Sequence, residues 1–186
     1  VSEYHSKRDF RKVREVVAKS ERYLSMIVFP IIVLIIVLAE PIIHILLSDK
    51  YMDALPVLQI LPIFVLIEVL SRPYQSLFQG MDMPKIVRNR ILIMVIVNVA
   101  LDILLIPKDI KSLGIKLFGL ASEGAAIATV VAYFIGFVYL RVLAYKKSGT
   151  GKSTVVVKHL FAALVTGAII RYINTFYNVA RWYDLL

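Results

Sequence analysis

Five stretches of mostly apolar residues, each about 20 or more residues long, dominate this chain. A helix of about 20 residues crosses a ~30 Å hydrocarbon core. The stretches run over 23–47, 54–79, 89–107, 122–142 and 155–177. The first is interrupted by Glu40 and His44, the second by Glu68 and Arg72, the third by Arg90 and Asp102. The fourth has no charge between Glu123 and Arg141, and the fifth carries Lys158, His159 and Arg171 near its ends. None alternates with the period of two that barrel strands need. An open sheet would leave its edge unsatisfied in hydrocarbon, so helices remain. The expected fold is all-α, a polytopic helical bundle with about five transmembrane helices.

Composition agrees. The chain is 59% hydrophobic and 19% charged, where soluble domains run about 45–50% apolar. Mean hydropathy is +0.77. Disorder is excluded on these grounds, and a nucleic-acid partner is disfavoured despite the net charge of +9. The absence of Cys removes disulfides, thiolate metal sites and Cys nucleophiles. His5, His44 and His159 are too scattered for a metal site. No catalytic cluster or cofactor motif stands out, so an enzyme is the least favoured class.

The positive charge has an order. Lys and Arg concentrate in 1–22, in Lys85, Arg88 and Arg90 between the second and third spans, and in the region from Arg141 to Lys158. That places 15 of the 22 basic residues on one side and six on the other, with Arg72 inside a span. By the positive-inside rule the segment 1–22 is expected to be a basic cytoplasmic helix leading into a multi-pass protein of the cell membrane. Its attraction to anionic headgroups accounts for its charge. No signal-peptide layout opens the chain, and no Met does; a piece of a longer protein or an alternative start is expected.

The second span holds the most informative polar pattern. Glu68, Arg72, Gln75 and Gln79 follow at i, i+4, i+7 and i+11, one face roughly 60° wide. Ser71 and Ser76 flank it. Ionisable groups at membrane depth face a protein interior or a water-filled cavity. Two arrangements fit. In one, the stripe is a cavity wall for a polar or anionic substrate, with Arg72 as the bidentate donor. In the other, Glu68 and Arg72 neutralise each other and merely pack. Asn98 and Asp102 form another i,i+4 pair, read as a structural hydrogen bond or as a cation or proton site. Pro30, Pro62 and Pro73 are expected to bend their helices. Gly124, Ala125, Ala126 and Ala128 give the fourth span a small-residue face for close helix approach. Gly149-Thr150-Gly151-Lys152-Ser153-Thr154 ends like a phosphate-binding loop, but Lys146 stands where the first Gly is needed and no strand precedes it.

The order of these pieces resembles the polysaccharide, O-antigen type, flippase family of the multidrug/oligosaccharidyl-lipid/polysaccharide (MOP) exporter superfamily. The resemblance rests on Ser2-Glu3-Tyr4-His5 with Arg22-Tyr23-Leu24 and Pro30; on Ile45 through Tyr51 with Ala54 to Leu61; on Gln79-Gly80-Met81-Asp82-Met83-Pro84-Lys85; on Asn98, Asp102 and Leu105-Ile106-Pro107; and on Gly119 with Glu123 to Ala126, Ala128 and Thr129. It covers residues 1 to about 145. It implies half of a two-bundle transporter, the missing partner being an N-terminal helical bundle. The implied activity is alternating-access movement of a polyprenyl-diphosphate-linked glycan across the bilayer. The residue assignment comes from the polar stripe and not from a family motif. Arg72 would meet the diphosphate or an acidic sugar; Glu68, Gln75 and Gln79 would bind hydroxyls or couple an ion. A cation-coupled drug or metabolite exporter of the same superfamily is the rival within transporters. A non-transporting membrane protein or split-gene remnant is the rival outside them.

Overall fold

The computed structural model describes residues 10–110, 115–150 and 155–177. Lys7, Arg8, Ser2 to His5, Lys111, Arg181 and the loop Gly151 to Thr154 therefore lie outside the described residues. The architecture is all-α. Helices α1 (Phe10–Val37) and α2 (Ala39–Leu47) are followed by a 3₁₀ segment (Asp49–Ala54), then α3 (Leu55–Gly80), α4 (Pro84–Leu105), α5 (Ala121–Ser148) and α6 (Val155–Tyr177). Between α4 and α5, the two-residue strands β1 (Asp109–Ile110) and β2 (Ile115–Lys116) pair antiparallel.

The helices run over the apolar stretches, and three local features stand out. The basic segment and the first span form one helix from Phe10. That helix is interrupted at Leu38 (φ −96°, ψ 13°). Pro41 has no N–H to donate to Val37, so the backbone there loses its next-turn partner. The bonds Leu38 N–H to Leu34 O and Ile42 N–H to Leu38 O carry the chain across the break. Second, α1 and α3 continue as helix through Pro30, Pro62 and Pro73. Third, α5 extends past Val142 to Ser148, where Gly149 caps it at φ +69° and donates its N–H to Tyr145 O. That left-handed conformation is the cap glycine provides, and it gives Gly149 a structural role in place of a phosphate loop.

The helices do not sit in chain order. α5 lies between α3 and α4, α1 lies on the far side of α3, and α6 covers α1. Every fourth residue of α5 makes this possible: Gly124, Ala128, Ala132, Gly136, Leu140, Ala144 and Ser148 are all buried. Small side chains at that spacing let backbones approach closely. A Cβ on Gly124 would lie 2.9 Å from the backbone carbonyl of Leu105. Gly124→Val is therefore expected to push α4 off α5 and to cost about 1–3 kcal/mol, read as a lower unfolding midpoint in detergent.

One end of the bundle is sealed by Val13, Val17, Tyr74, Leu77, Phe78, Met81, Leu140 and Ala144. This brings the start of α1, the α3–α4 turn and the end of α5 together, with Arg14, Lys85 and Lys147 at that end. Arg14 Nη1 donates to Ser148 O at 3.5 Å across that end.

The burial pattern is the reverse of a water-soluble protein. The one fully buried residue of α4 is Arg90, whereas Ile91, Leu92, Val95, Ile96, Val99 and Ile103 are exposed. Such an exterior suits hydrocarbon. Among the described residues four helices are long and apolar enough to cross a membrane: α1, α3 with the turn before it, α5 and α6. α4 is 22 residues long, about 33 Å as helix, but carries Lys85, Arg88, Arg90 and Asp102.

Candidate functional site in the α1–α3 cleft

Halfway along α3, Glu68 collects three donors. Arg90 of α4 donates from Nη2 to Oε2 at 2.5 Å, and Gln75 donates from Nε2 to Oε1 at 3.1 Å. Arg72 lies with Nε 3.4 Å from Oε1. The two arginines differ sharply: the Arg90 side chain is 3% exposed and the Arg72 side chain 66%. A buried guanidinium needs a carboxylate partner, and Glu68 supplies it. The face of Tyr133 lies 6.0 Å from Arg90 Cζ and adds a cation–π contact. Gly136 leaves room for this passage, since a Cβ there would come within 2.6 Å of Met94 Sδ and 3.2 Å of Arg90 Nε.

The balance of charge follows. One carboxylate meets two guanidiniums, and the short, buried contact belongs to Arg90. Arg72 keeps a surplus positive charge directed outward. It lines a cleft of about 200 Å³ between α1 and α3, together with Ser20, Ser76, Pro73 and the apolar side chains of Val16, Val17 and Leu24. Arg72, Ser20 and Ser76 all line this concave surface, whose walls are mostly apolar. That combination suits a ligand with an anionic or polyhydroxylated head.

The four stripe residues thus separate. Glu68 and Arg72 are in contact, Gln75 is bound to Glu68 rather than open, and Gln79 is exposed near the end of α3. Of the flanking serines, Ser71 is buried and donates to Ile67 O at 2.8 Å, whereas Ser76 reaches the cleft. Asn98, with its amide oriented to suit both neighbours, donates to Asp102 Oδ2 at 3.3 Å and accepts from the Thr129 N–H at 3.2 Å. This links α4 to α5. Asp102 Oδ1 is buried and has no hydrogen-bond partner among the described residues.

Sequence reasoning passed over two parts of this region. Arg90 was grouped with Lys85 and Arg88 as a charge at a helix edge, and the structure instead buries it against Glu68. Glu21 was absorbed into the basic segment, yet it is 1% exposed. Tyr74 Oη donates to Glu21 Oε1 at 2.9 Å, and Arg141 Nη1 lies 3.8 Å from the same oxygen. The signal for Glu21 was its register, because Val13, Val17, Glu21, Ser25, Phe29 and Ile32 form the buried stripe of α1. This cluster ties α1, α3 and α5 at the sealed end. Tyr74→Phe removes a hydrogen bond to a buried carboxylate and is expected to cost about 1.5–3 kcal/mol, measured by denaturation in detergent.

Residues 5–56 match the profile of a family described as polysaccharide biosynthesis protein. An uncharacterized membrane protein of Methanocaldococcus jannaschii is 32% identical over 117 residues, which is 63% of this chain and 21% of that protein. The chain thus spans about a fifth of the length of that relative. No solved structure matches it. With its apolar helices and inverted burial, the chain is a membrane protein. The profile match and the helix pattern together fit a membrane protein of polysaccharide synthesis or transport.

Proposed function

We propose that this chain is one helical bundle of an alternating-access flippase for a polyprenyl-diphosphate-linked glycan. A second bundle would close the cavity, and α4 would serve as a fifth span. The observation that carries this reading is the surplus charge of Arg72. Its neighbour Glu68 is held by Arg90 at 2.5 Å, so Arg72 stands exposed in a concave cleft with Ser20 and Ser76. Arg72 lies one turn from Glu68 toward the basic end of the bundle, and an exposed guanidinium on an apolar helix calls for water or an anionic ligand beside it. Diphosphate oxygens match the guanidinium fork, and serine hydroxyls match sugar hydroxyls. The family profile over residues 5–56 supports a glycan cargo. A carrier of cationic drugs would place acidic or aromatic groups at the cleft, and here the exposed charge is positive. The basic end of the bundle would face the cytoplasm by the positive-inside rule.

The test is reconstitution of the protein, with whatever segments accompany it in the cell, into vesicles loaded with a lipid-linked oligosaccharide. Protein-dependent exposure of the glycan on the opposite leaflet is expected. A rate equal to that of protein-free vesicles would contradict the reading.

A further inference from the structure

The edge of the bundle away from the Arg72 cleft carries a different arrangement. α4 is the outermost helix there, packed on α5. Where the α3–α4 turn meets the last turn of α5, a cleft of about 410 Å³ is lined by Asp82, Met83, Pro84, Lys85, Ile86 and Lys147. Two lysines face one aspartate, so the cleft is net positive. Neither lysine is held in an ion pair by a described residue. Arg88, one turn further along α4, is exposed and donates to the neutral amide oxygen of Asn89 at 3.5 Å. Below these cations the outer face of α4 turns apolar: Leu92 is 53% exposed, Val95 54%, Val99 51% and Ile103 56%. From Leu92 to Ile103 the helix rises about 16 Å, roughly half of a ~30 Å hydrocarbon core. A positive head region above an apolar track one leaflet long is the outline of a single lipid molecule.

We propose that this edge binds an anionic diacyl phospholipid of the surrounding bilayer. Its phosphate lies between Lys85 and Lys147, and its chains run along Leu92, Val95 and Val99. Basic pockets between helices at the membrane surface hold anionic headgroups in this way. A zwitterionic lipid brings a cation beside its phosphate and so no net counter-charge for the lysines, and a free phosphate leaves the apolar track uncovered. This site is independent of the proposed transport activity.

The experiment titrates the purified protein in neutral detergent with phosphatidylglycerol, phosphatidylcholine and glycerol 3-phosphate. Bound lipid is read by native mass spectrometry. Phosphatidylglycerol is expected to bind at least about tenfold more tightly than phosphatidylcholine, and glycerol 3-phosphate not measurably. The paired substitution Lys85→Gln, Lys147→Gln is expected to weaken phosphatidylglycerol binding about 25-fold, from the contribution of two surface lysines. Lys85→Arg with Lys147→Arg should retain it. Both side chains are exposed, so the melting temperature of the lipid-free Gln pair should match wild type. Arg72→Ala should bind phosphatidylglycerol normally. Equal affinity for the two phospholipids, unchanged binding by the Gln pair, or equal binding of glycerol 3-phosphate would each overturn the proposal. So would disulfide-linked dimers formed by Val95→Cys in vesicles, which would give this edge to a second copy of the chain.

Discussion

Glu68→Ala is expected to lower the stability of the bundle by about 3–5 kcal/mol, the usual consequence of removing one partner of a buried ion pair. The size follows from what is left behind. Arg90 is 3% exposed and would keep its charge with no ion-pair partner among the described residues. Tyr133 would remain at 6.0 Å, but a cation–π contact of about 0.5–2 kcal/mol does not replace the pair. Stabilities of ordinary domains are about 5–15 kcal/mol, so this one substitution would consume a large share. The measurement is the unfolding midpoint in detergent. A companion variant separates charge from packing: Glu68→Leu with Arg90→Leu should recover most of the loss, since replacing both members by apolar groups is often neutral. If Glu68→Ala unfolded like wild type, Arg90 would not depend on Glu68, and the surplus charge assigned to Arg72 would lose its basis.

Arg72→Ala is expected to have the opposite profile. Its side chain is 66% exposed, and Glu68 keeps Arg90, so the unfolding midpoint should move little. Glycan movement should fall about 10- to 100-fold, as expected for the loss of a charge-assisted hydrogen bond worth about 1.5–3 kcal/mol. Arg72→Lys should restore only part of the activity, because an ammonium lacks the planar fork that grips two oxygens at once. Normal movement by Arg72→Ala would remove the residue from the site.

Much of the fold was legible because its signals are local. Pro84 opens α4, Gly149 closes α5, and apolar stretches of the right length mark the helices. The break at Leu38 is not legible from the prolines alone, since Pro30 sits inside the continuous helix α1 while Pro41, just beyond it, accompanies the break. The order of the helices was also hidden. That α5 sits between α3 and α4 depends on a row of buried residues at every fourth position from Gly124 to Ser148, all small except Leu140, and only its start is apparent in the sequence.

The same hidden order explains what was missed at the site. The stripe on α3 showed that Glu68, Arg72, Gln75 and Gln79 share a face, but periodicity cannot say which of them is already satisfied. The answer lies 22 residues away at Arg90. That side chain reaches Glu68 only because Gly136 and Tyr133 of α5 leave and line its path. Ser20 joins the cleft from α1, and its sequence neighbours, all within a basic segment, carry no hint of that. Glu21 was hidden by the same basic surroundings, although its register on α1 matched the buried stripe.

The most direct test of Arg72 as the surplus positive group is the affinity of the purified protein for a polyprenyl-diphosphate oligosaccharide, compared between wild type and Arg72→Ala. At least about tenfold weaker binding by the variant is predicted, with the unfolding midpoint unchanged. Equal affinity in the two proteins would contradict the assignment, and the α1–α3 cleft would not be the place where the anionic head is held.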